Sequence, residues 1–146
     1  MKQPQQSLHG VITGTFRAEH RLWESKISKV AVSKGQPKML FYLSKNDGCM
    51  QKDIAEGTGI EPPSATSILA VMERDGLVRR QQSAEDRRRY HVFFTYKGRE
   101  KRDEVEKITH QLDKELLEGF TEEEKGTLYA LLDRVKENAS QHFEAK

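Results

Sequence analysis

The chain holds one cysteine, four prolines and one tryptophan, and it lacks any long apolar run. A lone cysteine excludes an internal disulfide and agrees with a reducing compartment. With no run able to cross a bilayer and no signal-peptide core near Met1, no membrane association is expected and the expected location is the cytoplasm. Metal-ligand spacing is missing as well: the five histidines are scattered, and none is paired beside carboxylates. Gly57-Thr58-Gly59 is too short for a dinucleotide fingerprint and follows no strand, and no Ser or Cys sits in a nucleophile motif. These absences argue against an enzyme, and the residues imply no cofactor, no metal and no catalytic group.

What the chain does have is charge, unevenly spread. Charged residues make up 33% of 146, and the mean hydropathy of −0.82 suits surface-rich helices. That length allows a single domain with its own core. Residues 1–99 carry 17 Lys/Arg against 10 Asp/Glu, whereas residues 100–146 carry 8 against 13. The basic part contains the stretch that reads as a nucleic-acid face.

That stretch runs from Gln51 to Arg89. Gln51 to Glu56 reads as a short helix with Ile54 and Ala55 inward, and Gly57-Thr58-Gly59 is expected to break it. Pro62-Pro63 opens a second helix, since proline suits a first turn. Ala65, Ile68, Leu69 and Met72 fall at i, i+3, i+4 and i+7 and form one buried stripe. The other face, Ser64, Ser67, Ala70, Val71 and Arg74, is small or polar and suits a major groove. Gly76 ends the helix. Leu77 to Gln81 and Tyr90 to Thr95 then read as two strands around a turn, Ser83 to Arg89, with three consecutive arginines. Helix, tight turn, helix and basic hairpin make a winged helix-turn-helix.

Helices flank this unit. Met1 to Ser7 is polar and expected to fray. Leu8, Val11, Ile12, Thr15, Phe16, Leu22, Trp23, Ile27 and Val30 keep helical spacing over residues 8–34. Gly35-Gln36-Pro37 then closes one helix and opens another, with Met39, Leu40 and Leu43 inward and Asn46-Asp47-Gly48 as its exit turn. Cys49 reads as a small buried hydrophobe. The alternative is a thiol whose pKa is lowered by a helix N-terminus, which would make a redox sensor. Thr95 can cap a long helix bearing Val105, Ile108, Leu112, Leu116 and Phe120. Thr121 to Glu124 is a capping box, and the last helix carries Leu128, Leu131, Leu132, Val135, Ala139 and Phe143. The expected fold is mainly α with a small β-hairpin wing. It comprises a winged helix-turn-helix over about 36–97 and long helices at about 8–34 and 98–143.

In this order the pieces resemble the MarR family of transcriptional regulators along nearly the whole chain. The resemblance rests on Gly35-Gln36 before the second helix, Gln51-Lys52-Asp53-Ile54-Ala55, and Met72-Glu73-Arg74-Asp75-Gly76-Leu77-Val78. Asp86-Arg87-Arg88 matches an Asp-x-Arg wing signature and is followed by Thr95-x-x-Gly98. Two departures stand out: Glu61 precedes Pro62 where a Ser-like cap is usual, and Ser83-Ala84 replaces Asp-Pro. The resemblance implies a homodimer held by its first and last helices, a pseudo-palindromic duplex-DNA operator and, in many members, release by a small aromatic or phenolic ligand. It further implies a ligand cavity between winged part and dimerising helices, for which Phe16, His20, Trp23, Met39 and Tyr42 are the candidates here.

On this reading the helix face with Ser64, Thr66 and Ser67 lies in the major groove. Arg88 enters the minor groove, where narrow A·T-rich segments attract guanidinium. Asp86 orients an arginine, while Arg74, Arg79, Arg80, Arg87 and Arg89 serve the DNA backbone or the wing itself. The expected function is a ligand-responsive repressor. A helical protein-interaction module without DNA binding and a single-cysteine redox regulator are the competing readings.

Overall fold

A computed structural model describes residues 6–30 and 32–144 of the chain. Its elements are α1 (Leu8–Ile27), α2 (Gln36–Lys45), α3 (Gln51–Thr58), α4 (Pro62–Arg74), β1 (Val78–Gln82), β2 (Tyr90–Phe94), α5 (Tyr96–Leu116) and α6 (Glu122–Glu144). Helices with one antiparallel hairpin are the expected fold class. The chain divides into two compact units, residues 1–110 and 111–146.

The core of the first unit follows the apolar spacing. Met39, Leu40 and Leu43 of α2, Ile54 of α3 and Ala65, Leu69 and Met72 of α4 are all buried. They meet Leu77, Val78, Val92 and Phe94 of the hairpin region and Val105 of α5, and Trp23 and Ile27 of α1 pack against this cluster while remaining partly exposed. In the hairpin, Val78 faces Phe94 and Arg80 faces Val92, so one side of the strands joins the core. The other edge of β2 is engaged by the turn after α2: Gly48 N donates to Val92 O at 2.8 Å and Val92 N to Cys49 O at 2.9 Å. That pairing ties the wing to the start of the helix-turn-helix.

The structure revises three sequence expectations. Residues 1–5, part of the segment expected to fray, lie outside the described residues, whereas Ser7 caps α1, its hydroxyl accepting from Gly10 N at 3.1 Å. Nor does α1 continue to residue 34: it stops at Ile27, where Lys29 and Val30 donate three residues back, to Lys26 O and Ile27 O. Ser25 and Ser28 turn their hydroxyls onto the Leu22 and Ser25 carbonyls there, a local competition that weakens a helix end. Finally, Gly57 lies inside α3, and the break comes at Gly59, whose φ of 69° is left-handed. What Gly57 supplies is room: a Cβ there would sit 1.9 Å from the Tyr42 ring.

Thr95 caps α5 as its chemistry suggests, accepting from Gly98 N at 3.0 Å and donating to the Gly76 carbonyl. Gly98 has its own reason, since a Cβ would lie 1.8 Å from Leu77 O. In the second unit α5 ends at Leu116, short of Phe120, and Gly119 turns the chain with φ 82°. The capping box forms as expected: Thr121 N donates to Glu124 Oε2 at 2.8 Å and Glu124 N to Thr121 Oγ1 at 3.1 Å. Two long helices end with no buried residue, α1 and α6. Among the described residues no helix is long and apolar enough to cross a membrane.

Candidate nucleic-acid interface

The exposed face of α4 carries Ser64, Thr66, Ser67, Ala70 and Arg74, because Ala65, Leu69 and Met72 take the opposite stripe into the core. The two prolines open the helix, and Glu61 at the cap position makes no side-chain capping bond. The hydroxyls differ in what they have left to offer. Ser67 donates to Pro63 O at 3.1 Å and Thr66 to Pro62 O at 3.0 Å, whereas Ser64 is exposed.

The wing turn is ordered by its own backbone. Ser83 N donates to Arg89 O at 2.8 Å, Arg89 N to Asp86 O at 3.0 Å, and the Gln82 amide to Arg87 O at 2.6 Å. Asp86 then holds the arginines: Arg88 donates to it through its backbone N–H at 2.9 Å and through Nε at 3.2 Å, and Arg89 Nε lies 3.5 Å away. The Arg88 backbone N–H, then its guanidinium, keep the Asp86 carboxyl below its ordinary value. With its side chain 91% exposed, Arg88 is aimed by this carboxylate and otherwise open to a partner. Arg87 is exposed too.

The remaining cations divide in two. Arg74 is exposed beside Asp75, Nε to Oδ1 3.2 Å, and Arg79 lies over the Phe93 ring at 4.4 Å. Arg80, expected at the DNA backbone or in wing structure, is bound within the fold. Its Nε and NH2 donate to the two Glu73 carboxylate oxygens at 3.1 Å each, and its NH1 to Gln51 Oε1 at 3.3 Å. The bond from the Arg80 guanidinium pulls Glu73 below its ordinary value. Glu73 and Gln51 carried no signal as site residues, because this contact joins the end of α4, the start of α3 and a strand.

Between these parts lies an open groove of about 390 Å3, lined by Lys52, Thr66, Arg80, Arg88, Arg89 and Tyr90 among others. Basic side chains from α3 and both strand ends of the wing thus meet the exposed face of α4. Such a surface neutralises phosphates and places small polar groups at base edges.

The proposed ligand residues fall elsewhere in the first unit. Phe16 and His20 stack on α1, ring centroids 5.5 Å apart, with His20 Nε2 3.3 Å from Glu24 Oε1. Trp23 is half-buried against the core, Met39 is fully buried, and Tyr42 covers Gly57. Met39 therefore has no surface to offer a ligand in this conformation. Cys49 is half-buried, and burial pushes its thiol up to about 11. A lowered thiol pKa, on which the redox alternative depended, is thereby corrected: desolvation and Asp53 outweigh any helix-end effect. Among the described residues no group of His, Cys, Asp and Glu could hold a metal.

The MarR family model matches residues 27–89, the helix-turn-helix and wing turn included. The HTH-type transcriptional regulator BilQ of Clostridium symbiosum (strain WAL-14163) is 26% identical over 132 residues, covering 90% of this chain and 92% of that protein. Among solved structures, the transcriptional repressor CouR bound to a 23-mer DNA duplex superposes with a TM-score of 0.81 at 22% identity, covering 93% of this chain and 99% of that one. The PcaV regulator from Streptomyces coelicolor, in complex with its natural ligand, gives a TM-score of 0.77 at 18% identity, covering 95% and 99%. At such identities these two structures establish the fold. The fold is that of winged-helix regulators, and the matched family is one of transcriptional regulators rather than enzymes. The family model, the curated regulators and the solved structures all support the MarR family for this chain.

Proposed function

We propose that the protein is a repressor that binds a pseudo-palindromic duplex operator as a homodimer and answers to a small ligand. The observation that carries the DNA reading is the groove in which Arg88, fixed by Asp86, stands beside the exposed α4 face with Thr66. Ser64, Thr66 and Ser67 face base edges of the major groove, and Arg88 enters the adjacent minor groove. Arg74, Arg79, Arg87 and Arg89 contact the sugar-phosphate backbone or brace the wing, and Asp86 positions Arg88. CouR, of the same fold, is a repressor bound to duplex DNA, which supports this assignment.

Homodimerisation is favoured by the apolar residues that one chain leaves uncovered. Leu8, Val11, Ile12 and Phe16 of α1 and Tyr129, Leu131, Leu132 and Phe143 of α6 are exposed, more than scattered surface hydrophobes account for. We assign these helices, about 8–34 and 98–143 in the sequence reading, to the dimer interface and residues about 36–97 to the reading head. Two heads then meet half-sites about one helical turn apart, ~34–36 Å, in the cytoplasm.

Ligand control follows from that geometry, since a change in head spacing removes one set of contacts. The exposed Phe16–His20 stack suits an aromatic or phenolic acid, with Trp23 and Tyr42 the further candidates and Met39 reachable only if the core opens, and PcaV supports the idea as a ligand-bound protein of the same fold. An inducer must bind free dimer more tightly than DNA-bound dimer, by the factor it weakens DNA binding. Calorimetry with salicylate on both forms tests this: equal affinities remove the ligand from the mechanism. For the DNA reading, titration of a labelled random duplex at two salt concentrations is decisive. Affinity should fall steeply with salt; salt-independent binding, or none, would favour a protein-interaction module.

A further inference from the structure

The Thr66 hydroxyl has its proton and one of its two lone pairs engaged. It donates to Pro62 O at 3.0 Å and accepts from the Gln51 amide Nε2 at 3.3 Å. Gln51 cannot turn away freely, because its Oε1 accepts from Arg80 NH1 at 3.3 Å, and Arg80 is locked on Glu73 through its backbone N–H, Nε and NH2. A chain of hydrogen bonds thus links α4, β1 and α3: Arg80 donates to Glu73 on one side and to Gln51 on the other, and Gln51 donates to Thr66. Each member's polar atoms are oriented by the next, so the amide orientation of Gln51 is set by its two neighbours. With its only proton spent, Thr66 offers one oxygen lone pair and its γ-methyl group, on an exposed position at the mouth of the groove.

We propose that this chain of bonds withholds the Thr66 hydroxyl proton from DNA and presents its methyl as a contact specific for thymine. Thymine alone of the four bases carries a C5-methyl in the major groove, and a threonine methyl is an apolar match for it. Gln51 and Arg80 are positioning residues in this scheme and touch no base, whereas Ser64, with its hydroxyl uncommitted, reads hydrogen-bonding edges. The inference rests on the reading that α4 enters the major groove.

Full-length protein is first used to select duplexes from a random library, and each thymine of the selected site is then replaced in turn by uracil, which lacks only the methyl. A single replacement, in one half-site, should weaken wild-type binding about fourfold, the worth of one buried methyl. Thr66→Ser should bind thymine and uracil duplexes equally at that position, while Thr66→Val should keep the discrimination. Gln51→Ala, which frees the hydroxyl, should shrink it. No sensitive thymine in the wild type, full discrimination by Thr66→Ser, or an unaltered ratio in Gln51→Ala would each overturn the proposal. If the wild type selects no sequence and shows no salt-dependent duplex binding, the failure lies instead with the DNA reading beneath it.

Discussion

Helices α4 and α6 have similar apolar spacing and opposite fates. α4 buries three of its 13 residues, Ala65, Leu69 and Met72, whereas α6 buries none of its 23 although it carries Leu128, Leu131, Leu132 and Val135. An amphipathic pattern therefore states that a stripe must be covered, without stating by what. In α4 the cover is the chain's own core, which leaves the opposite face free for small hydroxyls. In α6 Leu131 and Leu132 stay exposed, and a second copy is the proposed cover.

The largest expected effect contrasts a leucine from each helix. Leu69→Ala should lower unfolding free energy by about 2–5 kcal/mol, as for a fully buried leucine, at every protein concentration. Leu131, 49% exposed in one chain, should behave as a surface residue in a monomer. In the proposed dimer Leu131→Ala should cost stability where the wild type is dimeric, a cost that shrinks as dilution turns both proteins into monomers. Urea melts at several concentrations separate the cases, and a concentration-independent, negligible loss for Leu131→Ala would remove α6 from the interface.

Next comes a functional substitution that spares the fold. Arg88→Ala should weaken operator binding by about 1–3 kcal/mol per site with an unchanged urea midpoint, because the side chain is almost wholly solvent-exposed. Unchanged affinity at moderate salt would take Arg88 out of the interface. Asp86→Asn should fall in the same direction by less, since the arginine remains and only its aim is lost.

Acid sharpens the comparison further. Arg80 holds Glu73 below its ordinary value, and the Arg88 N–H and guanidinium do the same for Asp86. A lowered carboxylate pKa contributes stability that is complete above the unfolded value and is lost as pH falls through the folded one. The α4–wing region should therefore loosen on the acid side of the ordinary carboxylate range, and Glu73→Gln should flatten that limb of the stability profile. An identical acid limb in wild type and Glu73→Gln would show that the Glu73–Arg80 pair contributes nothing there. The smallest effect concerns Cys49: with a thiol pushed up to about 11, alkylation at neutral pH should be slower than for a free cysteine. Rates equal to an unstructured thiol would mean the burial is transient.

Periodicity, prolines and caps were enough to foresee the described helices and strands, though not where α1, α3 and α5 end, because they report the side of an element that must leave water and the ends that need partners. Met39, Leu40 and Leu43, the Ala65–Leu69–Met72 stripe, the Thr95 cap and the Thr121–Glu124 box all follow from spacing of a few residues. The basic turn was likewise visible, as three arginines after a helix-turn-helix. Tertiary structure alone decided the rest. Gly57 looked like a breaker and proved to be space for Tyr42, a residue of another helix. The spacing left Arg80 open between the DNA backbone and the wing itself, and the fold holds it on Glu73 and on Gln51, 29 positions away in sequence. Thr66 looked like a hydroxyl donor, and its hydroxyl is taken by Pro62 and by Gln51, 15 positions away. Local pattern encodes which face is apolar and where a backbone group needs a cap. Which polar atoms remain free for a partner depends on contacts between elements, and those exist only once the chain has folded.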